Sequence, residues 1–313
     1  MLIKSFNEFL LEKFEDEFPA LKKIYLVTKR ASGHRWLSYK GFAGSKFFVQ
    51  VTERNFENLN LNKEFPVLNY QSTFLKELIE KDCLGENIYN KPSAVKISSK
   101  KSFHELFAKN EYIPKTVTDV KNISELKFPI IAKPSDGHSG IGIKKYESLE
   151  EFNSDDTESY DVFSEFIEND EEHRFFMFKG KPFFWMQRLS DENEKAFSDK
   201  DEKMNFKYHL KNVDTLSNDY KKAIKEFSNK LKDIDFLCLD IMKGKDGKIY
   251  IIESNTQPGL PFDSTVKLYK EMYEDFYGPI DSKSQEKLNE YSKYLIEYTL
   301  EKDKDRFSVE KKK

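Results

Sequence analysis

The sequence predicts a mixed α and β protein, an α/β region over residues 1–92 followed by a larger α+β body. Three observations carry this. "KKIYLVTKR" and "KFFVQVTER" alternate as strands do, and the amphipathic pattern "NYQSTFLKELIEKD" follows them. The strand "FPIIAK" runs straight into a loop rich in Gly, Ser and Asp, "PSDGHSGIGI". Further on, "FLCLDIMKGKDGKIYIIESNTQPGLP" reads as a hairpin whose turn is marked by Asp246-Gly247.

The bulk numbers fit a folded chain. Of 313 residues, 38% are hydrophobic, 34% charged and 15% aromatic, which is globular rather than disordered. Net charge is −3, so no global field recruits nucleic acid or an anionic membrane. Cys83 and Cys238 stand far apart with no CxxC, which argues against a disulfide framework or a zinc site. No apolar run approaches the ~18 residues a membrane span needs. The opening "MLIKSFNEFLLEKFEDEF" has helical spacing and lacks a signal peptide's basic start, so a cytoplasmic address is expected.

The elements follow in order. "SSKKSFHELFAKNEYIPKT" is a helix opened by Ser and stopped by Pro, and "FPIIAK" is the next strand. "SLEEFNS" begins another helix, and "YDVFSEFI" and "EHRFFMFKGKPFFWMQRL" carry strands, the second with a Lys-Gly-Lys turn. Residues 190–215 are a polar excursion, "NDYKKAIKEFSNKLKDI" is an amphipathic helix, and the hairpin and two more helical stretches close the body. The charged run "EKDKDRFSVEKKK", residues 301–313, reads as a frayed, solvated end.

Geometry points to chemistry at the hairpin. A two-residue turn at Asp246-Gly247 places Asp240 opposite Glu253, with Asn255 on the same face. Like charges directly opposite each other destabilise a sheet, so a compensating cation is expected. Two carboxylates and an amide oxygen are the hard donors that Mg²⁺ takes, with phosphates completing its shell. A solvent-facing acidic pair would need no cation, but the flanking segments are apolar on both faces. In the glycine-rich loop, backbone N–H groups can converge on phosphate oxygens, and Lys133 adds a cation at the strand's end. The glycine spacing is neither GxGxxG nor a P-loop.

Residues 88–275 resemble the ATP-grasp enzymes, on four segments in the family's order. "NIYNKPSAVKISSKKSFHELFAKNEYIPKT" is similar to the family's lead-in, and "FPIIAKPSDGHSGIGI" to its lysine strand and phosphate lid. "SEFIENDEEHRFFMF" is similar to the hinge strand against adenine, and "DIMKGKDGKIYIIESNTQPGLP" to the metal-binding hairpin. The spacing of Asp240 and Glu253 suits the D-alanine–D-alanine ligase branch. The resemblance implies an ATP-grasp fold, two α+β subdomains gripping ATP, preceded by an α/β N-terminal domain. The ATP-grasp domain would span 93–300, with a lid subdomain at about 125–162 and a C-terminal subdomain at about 163–300.

Residue by residue, it implies that Lys101 and Lys133 hold the α- and β-phosphates, with Lys100 and Lys96 close by in sequence. Ser139, Gly140 and Ile141 would close over the phosphates. Glu165, Phe166 and Ile167 would meet adenine, Glu172 ribose, and Lys207 the γ-phosphate. Asp240, Glu253 and Asn255 would coordinate Mg²⁺, two ions being expected, with Mn²⁺ as the alternative metal. Arg188 and Arg174 would be the catalytic arginines, Arg188 meeting the substrate carboxylate or acyl phosphate; the bland alternative for each is an ion pair. One departure is plain: the ligase branch has an arginine two residues before the hairpin aspartate, and this chain has Cys238. His138 falls in the lid, while His104, His173 and Cys238 read as core residues.

The function implied is ATP-dependent joining of a carboxylate to an amine through an acyl phosphate. The substrates would be small molecules or peptides, with no nucleic acid or membrane partner, and a homodimer is one open assembly. Two other readings remain: phosphotransfer to a hydroxyl, disfavoured by the acidic 190–215 segment, and a non-catalytic ATP sensor, disfavoured by the intact Asp240, Glu253 and Asn255 set.

Overall fold

The computed structural model describes residues 21–28, 47–70, 72–135, 142–189, 207–231, 234–261 and 263–309. The helix expected over the first eighteen residues, the tip of the glycine-rich loop, most of the polar excursion and the last four residues lie outside these.

The N-terminal region is a parallel sheet of β1 (Ile24–Thr28), β2 (Phe48–Val51), β3 (Val67–Tyr70) and β4 (Ile88–Tyr89), in the order β2-β1-β3-β4. Parallel strands are covered on both faces. Helix α1 (Leu75–Glu80) covers one face, packing Leu75 and Leu78 on Tyr25, Val27 and Val67. The other face, with Ile24, Leu26, Leu68 and Tyr70, merges into the main core.

After helix α2 (Lys100–Phe107), strands β5 (Thr116–Val117), β6 (Ile130–Lys133), β7 (Lys144–Tyr146) and β8 (Val162–Glu165) form an antiparallel sheet in the order β5-β8-β6-β7. Helix α3 (Leu149–Asn153) closes its core through Phe152, against Tyr146 and Phe163. This sheet draws in Thr116 and Val117, ahead of the 125 boundary expected for the lid subdomain. A two-residue strand carries too little alternation to announce itself.

The largest sheet contains β9 (Asn169–Phe178), β10 (Lys181–Leu189), β11 (Lys207–Lys211), β12 (Phe236–Gly244), β13 (Ile249–Asn255) and β14 (Phe307–Val309), ordered β13-β12-β9-β10-β11-β14. Its outer face (Phe175, Met177, Leu237, Leu239) packs on α2 and on helix α4 (Asn218–Ser228) through Phe103, Phe107, Ile224 and Phe227. Its inner face (Phe176, Phe184, Phe236) packs on helices α5 (Ser264–Tyr277) and α6 (Ser282–Lys302) through Leu268, Met272 and Leu288. Helix α6 is the longest described, and no described helix is long and apolar enough to cross a membrane.

The charged end corrects the expectation of a frayed tail. Phe307 is buried and stacks on Tyr208 at 6.1 Å, and Tyr208 N–H donates to Arg306 C=O at 2.7 Å, so β14 joins the sheet as its edge. One aromatic residue in the run supplies the anchor.

Candidate functional site

The inner face of the large sheet is apolar where it meets α5 and α6 and charged two rungs further along. On the first charged rung Asp240 of β12 stands opposite Arg174 of β9 on one side and Glu253 of β13 on the other. On the next, Glu172 of β9 stands opposite Arg188 of β10, and Arg188 opposite Tyr208 of β11. Residues paired across antiparallel strands share a face, so all six project together.

The hairpin reaches the Asp240–Glu253 pairing by a route the turn alone does not give. The loop holds three residues, Lys245 to Gly247, with Gly247 at φ +80° and Gly247 N–H donating to Gly244 C=O at 2.8 Å. The first rungs are Lys243–Ile249, Met242–Tyr250 and Ile241–Ile251. The ladder then slips by one residue at Ile252, and Asp240 meets Glu253.

Each expected arginine is engaged by an acid of the site. Arg174 donates from Nε to Asp240 Oδ1 and from Nη2 to Asp240 Oδ2, both at 2.7 Å, a two-pronged charge-assisted contact. Arg188 donates from Nη1 to both carboxylate oxygens of Glu172 at 2.8 Å. The Arg174 fork is spent on Asp240, whereas Arg188 commits a single nitrogen, Nη1, to Glu172. Arg188 orients the acid expected to meet ribose, and Arg174 holds the acid expected to meet the metal.

Lys133 ends β6 and is buried. Burial pushes its ammonium below the ordinary lysine value, and the nearby charges of Glu253, Glu172 and Asp240 pull it back up. Lys100 is the second cation of this cluster: its charge acts on Lys133, on Glu253 and on His104. Phe103, His104 and Phe107 are the buried face of α2, and Lys100 lies on that stripe at i, i+3, i+4, i+7. The expected Lys101 lies one helical step, about 100°, off it. The helical pattern in the sequence contained this distinction.

Ser139, Gly140 and Ile141, with His138, lie outside the described residues. The loop's base is fixed: Ser135 N–H donates to Asp161 Oδ2 at 2.8 Å, and the hydroxyls of Ser135 and Ser99 share a 2.9 Å hydrogen bond. Glu165 to Ile167 leave the small sheet for the large one. Glu165 N–H donates to Lys115 C=O and Phe166 N–H to Pro129 C=O, both at 2.9 Å, while Lys145 Nζ lies 4.2 Å over the Phe166 ring. Lys207 is exposed and pairs with Leu189, on the face opposite to Arg188 and Tyr208, so the structure does not bring it to this cluster. Cys238 is buried on the inner face, its thiol pushed up by burial, as a core residue's would be.

The donor set fits a divalent cation. Burial pushes the Glu253 carboxyl up and the facing Asp240 pushes it further, while Lys100, Lys133 and Arg174 pull it back down. Among the described residues no three His, Cys, Asp or Glu side chains converge on one point. A cation here would therefore take two carboxylates and draw on Asn255, water and phosphate for the rest. Asn255 Oδ1 already accepts from Gln257 N–H at 2.7 Å and retains its second lone pair.

The sequence reading missed the anchor between the N-terminal region and this sheet. Asn90, buried and at φ +56°, accepts on Oδ1 from Asp235 and Phe236 N–H, each at 2.8 Å, and donates from Nδ2 to Phe236 C=O at 2.7 Å. It fixes the start of β12, and hence the position of Asp240.

No family model matches the chain, and no curated protein does. Solved structures do. The D-alanine–D-alanine ligase of Bacillus anthracis matches at 17% identity and TM-score 0.54, over 88% of this chain and 99% of that one. The ATP-grasp ligase PsnB with its minimal precursor matches at 14% and 0.51, over 89% and 100%. The N5-carboxyaminoimidazole ribonucleotide synthetase of Thermotoga maritima matches at 13% and 0.51, over 84% and 78%. With this sheet order, and with Lys133 at the end of β6 within electrostatic reach of Glu253, Glu172 and Asp240, the chain has the ATP-grasp fold.

Proposed function

We propose that this protein is an ATP- and Mg²⁺-dependent ligase that joins a carboxylate to an amine, releasing ADP and phosphate. The observation that carries the reading is the cluster of Asp240 and Glu253 facing each other beneath the buried Lys133. The fold that carries it is shared with a ligase solved in complex with ATP and with PsnB solved with Mg and ADP, which supports the reading.

In this reading Lys133 and Lys100 hold the phosphates, Glu165–Ile167 lie along adenine, and Glu172, braced by Arg188, takes the ribose hydroxyls. Mg²⁺ held by Asp240, Glu253 and Asn255 would neutralise charge on the β- and γ-phosphates. A carboxylate oxygen of the substrate attacks the γ-phosphorus and ADP departs. The amine then attacks the acyl phosphate carbon, and inorganic phosphate leaves with the bonding pair. The cluster's part is positioning and preorganised charge. PsnB is solved with a precursor peptide, so a peptide stands beside free amino acids as substrate class.

The test is a Mg-ATP reaction with hydroxylamine and either pooled amino acids or carboxylate-bearing peptides, run beside Asp240→Ala/Glu253→Ala. Hydroxamate with matching ADP, lost in the double variant, is expected. A phosphorylated hydroxyl compound and no hydroxamate would replace the reading with phosphotransfer.

A further inference from the structure

The Asp240 carboxylate is shared between two claims. Facing Glu253, it belongs to a pair that repels itself and calls for a cation. Yet both of its oxygens already accept from Arg174, at 2.7 Å each. Arg174 thus supplies, from the neighbouring strand, the charge the acid pair lacks. Its side chain is 30% exposed, against 15% for Arg188 on Glu172, so it is the less confined of the two forks. In the same position its guanidinium carbon lies 5.8 Å from the centre of the Tyr208 ring, an aromatic face that accepts a cation and lies on the side away from Glu253.

We infer that Arg174 is a resident counter-cation that exchanges with a divalent ion at Asp240. Without metal, the fork holds Asp240 in place against Glu253. With metal, two cations on one carboxylate repel each other, and the guanidinium shifts toward the Tyr208 side of the cleft. There it stands unpaired beside the anions that phosphoryl transfer creates. Cys238 offers no charge on the rung below, so this arginine is the one the sheet provides next to Asp240. The inference rests on the metal-site reading above. It assigns Arg174 a positioning role and sets the metal affinity of the empty enzyme below what the acids alone would give.

Mn²⁺ binding to the full chain, followed by loss of the free-ion electron paramagnetic resonance signal, tests this in wild type, Arg174→Met, Arg174→Lys and Asp240→Asn. Removing the competing cation should tighten Mn²⁺ binding about five-fold or more, the scale of an ordinary coupling between sites. Lysine, a point charge without the fork, should give a smaller gain, and Asp240→Asn should lose binding. Thermal unfolding supplies a second readout. Arg174→Met should melt lower than wild type without metal and recover on adding Mn²⁺, which a purely structural arginine would not allow. If Arg174→Met fails to fold, Arg174→Lys carries both comparisons. Unchanged or weaker Mn²⁺ binding without thermal recovery would make Arg174 a fixed brace and overturn the exchange, leaving the ligase reading intact. Absence of Mn²⁺ binding in wild type and in both arginine variants would overturn the two together.

Discussion

Arg188 stands opposite Glu172 because the β9–β10 hairpin slips by one residue between Pro182 and Phe184. The turn at Lys179-Gly180, with φ of +46° and +75°, is the two-residue type that pairs Lys181 with Phe178. Carried through without a slip, that register would set Arg188 against Glu171, whose side chain faces the other way. The bulge re-aims one charge and so builds the second acid–base rung.

That rung is mostly buried, with both partners under 20% exposed, so each side chain leaves a poorly solvated charge if its partner is removed. Glu172→Gln and Arg188→Met should each destabilise the protein by about 2 kcal/mol. The double variant should cost clearly less than the sum, with a coupling of about 1–2 kcal/mol in urea unfolding. Strict additivity would mean that the two do not act as a pair.

These slips mark where sequence reading stops. The strands, the lysine ahead of the glycine-rich loop and the acids of the hairpin all announce themselves by composition and alternation. Register does not, because a bulge leaves no trace in the pattern of apolar residues. Asp240 opposite Glu253 follows from a two-residue turn on paper, whereas the chain gets there with a three-residue loop and a slip at Ile252 that cancel. The Arg188–Glu172 rung had no such cancellation. The forks of Arg174 and Arg188 were equally hidden, since they depend on which strands are neighbours across the sheet, and β9 lies between β10 and β12 only in the folded topology.

Lys100 and Lys101 can be told apart by nucleotide binding. Lys100 continues the buried stripe of Phe103, His104 and Phe107 and acts electrostatically on Lys133, while Lys101 points off it. A charged hydrogen bond to phosphate is worth about 1.5–3 kcal/mol, or roughly ten- to a hundred-fold in affinity. Lys100→Met and Lys133→Met should each weaken ATP binding by that factor in calorimetry, and Lys101→Met should leave it within about two-fold. A larger loss at Lys101 than at Lys100 would reverse the assignment.

Asn90 predicts a large structural effect away from the chemistry. Its side chain makes three hydrogen bonds to Asp235 and Phe236, and its own N–H donates to Asp235 Oδ2 at 3.0 Å. Asn90→Ala would strip the partners from two N–H groups and one carbonyl at the start of β12, at a cost of about 3 kcal/mol. Asn90→Gly relaxes the positive φ and so separates the two contributions. It should remain about as destabilised as alanine, to within about 1 kcal/mol, if the hydrogen bonds rather than the backbone set the cost. Chemical denaturation of the three proteins decides it.

His104 gives the pH dependence a sign. Its ring is buried with neither nitrogen bonded, and burial, with Lys133 and Lys100 adding to it, pushes its pKa down to about 3. In the unfolded chain the same ring titrates near 6.5. Between those values the unfolded state binds a proton that the folded state refuses. Stability from this group is therefore complete above about pH 6.5 and falls as the pH drops, by up to about 1.4 kcal/mol per unit. His104→Leu removes that proton from the balance. The variant should lose stability at pH 7.5 from altered packing, yet its unfolding free energy should fall less steeply than wild type's between pH 6.5 and 4.5. Parallel pH profiles for the two proteins would show that His104 takes up its proton equally well in both states, and would sink the reading of a neutral imidazole wedged beside the two lysines.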